Sequence, residues 1–256
     1  MTDEEKKITE ELIAFMDCPC RVFEPMEDDD PILEAYAEAK ERGKAQGFTP
    51  LLLGVEDLLL EDLLMNCGAE SASDLKTIRK YRENLLAQAE KKGFEKENTQ
   101  WLDEESQKLL TEERARQELG DASASGELVE GFAAYWDFLS QCTRPVVLAE
   151  IPVKEPWKVF AWLCIGGWNE CPSPETFMAV SKRWYEQYGA VPASACHDIL
   201  EYALNCPVPS REMANQLALE QYVFCVDRVE QSAPGETLGT LADTLTKSKV
   251  WYFWWD

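Results

Sequence analysis

Val250-Trp251-Tyr252-Phe253-Trp254-Trp255-Asp256 ends the sequence, and its reading decides the fold. Successive side chains of a strand point to opposite sides. Val250, Tyr252 and Trp254 therefore take one side, and Trp251, Phe253 and Trp255 the other. Both sides are apolar, the pattern of a strand covered on two faces. The tail is predicted as an internal strand of a mixed β-sheet flanked by helices, in an α+β or α/β protein. A central tail would gather the polar loops around it at one rim.

Moving back along the chain, Leu238, Leu241, Ala242 and Leu245 mark a short helix. Ser210 opens another, with Leu217, Gln221 and Cys225 in line. Residues 191–204 read as partly extended. Ser173-Pro174 is a cap followed by a proline at the first helical position. Phe177, Val180, Trp184 and Tyr188 then share a face, and Gly189 ends that helix. Gly166-Gly167-Trp168-Asn169-Glu170-Cys171-Pro172 reads as a loop. Pro156 begins a short helix, and Val146 to Ile151 is strand-like.

Nearer the N-terminus, residues 4–16 are predicted helical and Arg21-Val22-Phe23 extended. Asp30 and Pro31 start a helix whose face continues through Ile32, Tyr36 and Ala39 to Gln46. Gly47 closes it, and Pro50-Leu51-Leu52-Leu53-Gly54-Val55 fits a buried strand. Residues 22–55 thus fit a strand, crossover helix and parallel strand. Residues 57–65 and a stretch from Ser73 to Lys92 are helical in pattern. Residues 103–119 carry few apolar positions and read as a solvated helix or arm. There is one internal echo. Gly47-Phe48-Thr49-Pro50 and Gly189-Ala190-Val191-Pro192 each follow a helix and precede an apolar run.

Composition shifts near Cys142. Residues 1–141 hold 16 bases against 34 acids, whereas seven of the nine tryptophans lie beyond. Two regions are therefore expected. Residues 1–141 form an acidic, helix-rich part with the strand-helix-strand unit, and 142–256 a tryptophan-rich α+β part.

The net charge of −23 argues against nucleic acid and anionic membrane as partners, because phosphate binding draws on Lys and Arg. It favours a basic protein partner. No window approaches the ~20 apolar residues a bilayer span requires. The opening Met1-Thr2-Asp3-Glu4-Glu5 lacks the basic-then-apolar order of a secretory signal, so a cytoplasmic location is expected. In that reducing compartment the nine cysteines read as free thiols. Nothing in the pattern sets an oligomeric state.

His197 is the only histidine, so any imidazole chemistry rests on it. Asp198 and Glu201 follow closely, and the three form the candidate catalytic set. Loops hold a disproportionate share of binding residues. Trp168, Asn169 and Glu170, with Glu150 and Asp256, form the candidate ligand-binding set. Zinc calls for close-set ligand pairs, and only Cys18-Pro19-Cys20 offers one. No metal or cofactor is expected, and no phosphate-cradling glycine loop is present.

From Thr143 onward the chain resembles a bacterial family, domain of unknown function 4253. The resemblance rests on Ala149-Glu150-Ile151-Pro152, Pro156-Trp157-Lys158-Val159-Phe160-Ala161 and Gly167-Trp168-Asn169-Glu170-Cys171-Pro172. It continues through Trp184-Tyr185, Tyr188-Gly189-Ala190-Val191-Pro192, His197-Asp198, Leu200-Glu201 and Glu220-Gln221-Tyr222 to the terminal strand. It implies a bacterial origin and transfers no activity. The leading expectation is a binding or interaction module, for instance one that neutralises a basic protein as an immunity protein does. The alternative is a small hydrolase-type enzyme using His197 with nearby carboxylates.

Overall fold

A computed structural model describes residues 1–232 and 235–256. In chain order the elements begin with α1 (Asp3–Met16), β1 (Cys20–Phe23), α2 (Asp30–Gln46), β2 (Thr49–Gly54) and α3 (Asp57–Cys67). Next come α4 (Leu75–Ala89), α5 (Phe94–Leu109), α6 (Glu113–Gly120), β3 (Trp136–Asp137), β4 (Cys142–Thr143) and β5 (Val146–Ile151). A 3-10 turn over Pro156–Ala161 precedes α7 (Pro174–Tyr188), β6 (Val191–Ala195) and β7 (Ile199–Ala203). The last elements are α8 (Arg211–Phe224), α9 (Asp227–Glu230), α10 (Leu238–Leu245) and β8 (Val250–Trp254).

Six strands form one mixed sheet in the order β1-β5-β2-β6-β7-β8. All neighbours are antiparallel except β2 and β6. The expected architecture, a mixed sheet flanked by helices, is therefore the one observed. Strands from both sides of Cys142 interleave, since β5 lies between β1 and β2. The compositional boundary does not divide the sheet. β1 and β2 both run antiparallel to β5, so they are parallel to each other. The strand-helix-strand unit exists in split form, with β5 inserted.

β8 belongs to the sheet but is its last strand, not the internal one expected. Trp251 and Phe253 are fully buried on one face, and Val250 is buried on the other. Apolar residues on both faces report what lies above and below a strand. They do not report what lies beside it. The outer edge of β8 is covered locally by other means: the Cys225 thiol donates to the Trp254 carbonyl at 3.0 Å, and the Arg228 guanidinium lies 4.8 Å from the Phe253 ring centre.

Two cores sandwich the sheet. Leu51, Leu53, Leu200, Tyr202, Trp251 and Phe253 enter the larger one, with Trp184 and Phe177 of α7 and Phe224 of α8. Its centre is a tryptophan-aromatic cluster. Trp184 stacks on Phe253 at 5.3 Å and meets Tyr202, Phe224 and Trp251 edge-on. Leu52, Val146, Leu148 and Phe23 face the smaller core against Ile32, Tyr36 and Ala39 of α2.

Residues 103–119 are not a free arm. α5 buries Thr99, Leu102 and Ser106, and Arg183 of α7 grips Asp103 with two hydrogen bonds of 2.7 and 2.8 Å. Phe94 and Leu102 enter the main core, and the small polar Thr99 and Ser106 fill the rest of the buried face.

The internal echo has a structural counterpart. Gly47 and Gly189 end α2 and α7 in the left-handed conformation, at φ 80° and 70°, where glycine carries no steric penalty. The strands that follow, β2 and β6, are the one parallel pair. Their carboxyl ends therefore open side by side, at the same end of the sheet where β5 begins.

Candidate functional site

The rim at that end is built from the residues just after β2 and β6. Glu56 follows β2. Its Oε1 accepts the backbone N–H of His197 at 2.5 Å, and its Oε2 pairs with Arg144, which precedes β5. Glu56 thus ties three strand ends together. Asp62 lies one turn into α3, on the side that otherwise buries Leu59, Leu60 and Leu63.

Asp62 Oδ2 accepts the Trp168 indole N–H at 2.8 Å and sits 3.1 Å from His197 Nδ1. The second contact has ion-pair distance, but the ring N–H direction misses the alignment of a full hydrogen bond. The Trp168 and His197 rings stack, with centres 4.7 Å apart and planes within 15°. His197 keeps 22% of its side chain exposed. Burial pushes the Asp62 carboxyl above its usual value, while the facing His197 and the Trp168 indole act the other way.

The loop that carries Trp168 is held by backbone geometry. Gly166 and Gly167 adopt φ of 94° and 80°, and Asn66 of α3 donates to the carbonyls of Cys164 and Gly166 at 2.7 and 2.9 Å. Asn169, itself at φ 45°, donates through Nδ2 to the Asp256 carbonyl at 2.8 Å. Trp168, Asn169, His197 and Asp256 therefore meet at one rim, although the central tail from which the sequence reading argued that rim is an edge strand.

The other sequence candidates do not join them. Glu201 is fully buried within β7, where its carboxylate accepts the backbone N–H groups of Ala133 and Ala134 at 2.7 and 3.1 Å. Four residues along a hairpin carry it away from His197 and into the sheet. Asp198 is occupied by the Trp254 indole at 2.8 Å and the Cys196 thiol at 3.2 Å. It anchors the tail. Glu150 pairs with Arg42 at 2.6 Å near the opposite end of the sheet, because β5 runs away from the rim. Glu170 is exposed.

Asp62 and Glu56, the carboxylates that touch His197, were absent from the sequence candidates. A signal existed for Asp62: a lone acid on the buried side of a leucine-rich helix. Glu56 lies 141 positions from His197, and only the parallel pairing of β2 with β6 brings them together.

Cys196, Glu56 and Asp198 place one ligand atom each within 4.8 Å of one another. Both carboxylates already hold internal partners, and burial pushes the Cys196 thiol far above its usual value. Cys171 is raised in the same way. Neither is a ready thiolate.

Residues 147–256 match the model of a family described as a domain of unknown function (DUF4253), the stretch of the resemblance seen in the sequence. No curated protein and no solved structure matches the chain.

Proposed function

We propose that this chain is a binding module that docks a basic protein on the end of the sheet bearing His197. One observation carries the reading: large apolar side chains stand exposed where the carboxylates gather. Leu58 and Met65 are 54% and 62% exposed on α3. They share an exposed stripe with Glu61 at i, i+3 and i+7 spacing, beside the buried Asp62. Phe138 and Leu139 are 74% and 96% exposed at the turn between β3 and β4, the hairpin that leads directly into β5 at this end. Apolar anchors framed by polar groups are the anatomy of a recognition surface. The net charge of −23 favours a basic partner.

The test compares proteins captured from a native lysate by the chain and by a Leu58→Lys/Glu61→Lys variant. Both positions are exposed, so the variant should fold normally. Support requires a basic protein that is released by salt and absent from the variant eluate. Identical eluates, or none at low salt, would refute the reading.

A second reading rests on the Asp62–His197 contact. A carboxylate beside Nδ1 orients an imidazole so that its other nitrogen can move protons. Nε2 makes no hydrogen bond among the described residues. On this reading the chain is a hydrolase-type enzyme with His197 as base. Cleavage of activated carboxyl esters that disappears in His197→Asn would support it, and equal rates would eliminate it.

A further inference from the structure

α3 ends at Cys67, and Cys164 lies just beyond the 3-10 turn, 97 positions later. Their sulfurs are 3.2 Å apart. A disulfide bond is about 2.05 Å long, so closure needs about 1 Å of approach. The two backbones are already pinned, because the neighbouring Asn66 side chain donates to the Cys164 carbonyl.

We infer that Cys67 and Cys164 form a reversible disulfide driven by a peroxide, and that this bridge locks the Trp168 loop onto α3. Both are free thiols. Cys67 is 7% exposed and Cys164 is sealed, so Cys67 meets the oxidant first. The Cys67 thiolate attacks one peroxide oxygen. The O–O bond breaks, giving a sulfenic acid on Cys67 and a hydroxide that takes up a proton. Cys164, losing its proton, attacks the Cys67 sulfur. The S–S bond forms, the S–OH bond breaks, and water leaves. Two thiols and one hydrogen peroxide give one disulfide and two waters.

The local electrostatics fit this order. Cys67 is held below its usual value, chiefly by its contact with Cys164 and also by the Arg82 charge, whereas burial raises Cys164. Arg82 is itself buried, anchored to the carbonyls of Phe15 and Met16 at 2.7 and 3.2 Å. The bridge would join α3, which carries Asp62, to the segment leading into Trp168. It would therefore stiffen the groups packed on His197.

The test is peptide mapping of the wild-type chain after hydrogen peroxide, with thiols alkylated before and after reduction by dithiothreitol. The expected result is a Cys67–Cys164 crosslinked peptide lighter by two hydrogens, which dithiothreitol reverses. Cys67→Ser should leave Cys164 alkylatable after the same treatment. If the exposed Cys206 oxidises while Cys67 and Cys164 remain alkylatable, the inference is wrong. A bridge between other cysteines, such as Cys18 and Cys20, would overturn it equally. Because the deciding measurement uses the wild-type chain, poor folding of a variant cannot obscure it.

Discussion

Glu56 Oε1 holds the backbone N–H of His197, joining the end of β2 to the end of β6. Its other oxygen holds Arg144. Removing it leaves a partly buried N–H and a guanidinium without their acceptor. Glu56→Ala is expected to cost about 2 kcal/mol, since hydrogen bonds to charged groups contribute more than neutral ones. Urea unfolding measures the loss, and the His197 ring resonances should shift with it. A change below about 0.5 kcal/mol, the scale of an ordinary surface substitution, would show that the strand ends are held by something else.

Glu201 is the clearest source of pH dependence. Burial raises its carboxyl from an ordinary 4.5 to about 7, against the pull of the Ala133 and Ala134 N–H groups. The folded state then binds the proton more tightly than the unfolded state. Its contribution to stability is present below about pH 4.5 and is lost as pH rises through about 7. Wild-type stability minus that of Glu201→Gln should fall across this window and stay flat above it. The change is on the order of 3 kcal/mol at one pKa unit per 1.36 kcal/mol. Thermal melts of both chains across that range give the answer, and a constant difference would mean that folding leaves the proton affinity of Glu201 unchanged.

The two glycines of the Trp168 loop should respond differently. A Cβ on Gly166 would meet the Pro172 carbonyl oxygen at 2.0 Å and Phe177 at 2.8 Å. On Gly167 the nearest atom is Asn66 Oδ1 at 3.7 Å. Gly167→Ala bears only the left-handed backbone penalty, about 1 kcal/mol. Gly166→Ala adds a backbone collision and should cost at least ~3 kcal/mol. Equal losses in denaturant titrations would contradict this geometry.

Trp184 sits with Phe253, Tyr202, Phe224 and Trp251 around it and no exposed surface. Trp184→Ala opens a large cavity in the main core, and the expected loss is about 3–5 kcal/mol. Trp184→Phe should recover part of it. Chemical denaturation of the two variants distinguishes lost packing from loss of the indole bond to Glu220, which neither variant can make.

Much of the local structure was legible in sequence because capping chemistry and periodicity are local. Ser173 does cap α7, accepting from the Thr176 N–H, and Gly47 and Gly189 do end their helices. The helix predicted from Asp30 is capped one residue earlier, at Asp29, whose carboxylate instead takes the Tyr135 hydroxyl at 2.6 Å. The site was half legible. Trp168, Asn169 and His197 came from loop chemistry and a unique histidine, and Asp256 from a tail expected to be central. Glu150 and Glu201 were misplaced because proximity in sequence says nothing about strand direction or about which face a side chain takes. The edge position of β8 was hidden for a related reason: hydrophobicity records covering layers, and strand order is set by pairings between distant segments.

The insertion of β5 between β1 and β2 bears on how this chain can be dissected. The matched stretch contains all of β5 but its first residue, yet both ladder neighbours of that strand come from the first 54 residues. Severed there, β5 would have every backbone donor and acceptor on both flanks unmet, and β6 would lose its parallel neighbour. A fragment beginning near residue 147 would be a sticky, aggregation-prone half-sheet, whatever the family boundary suggests.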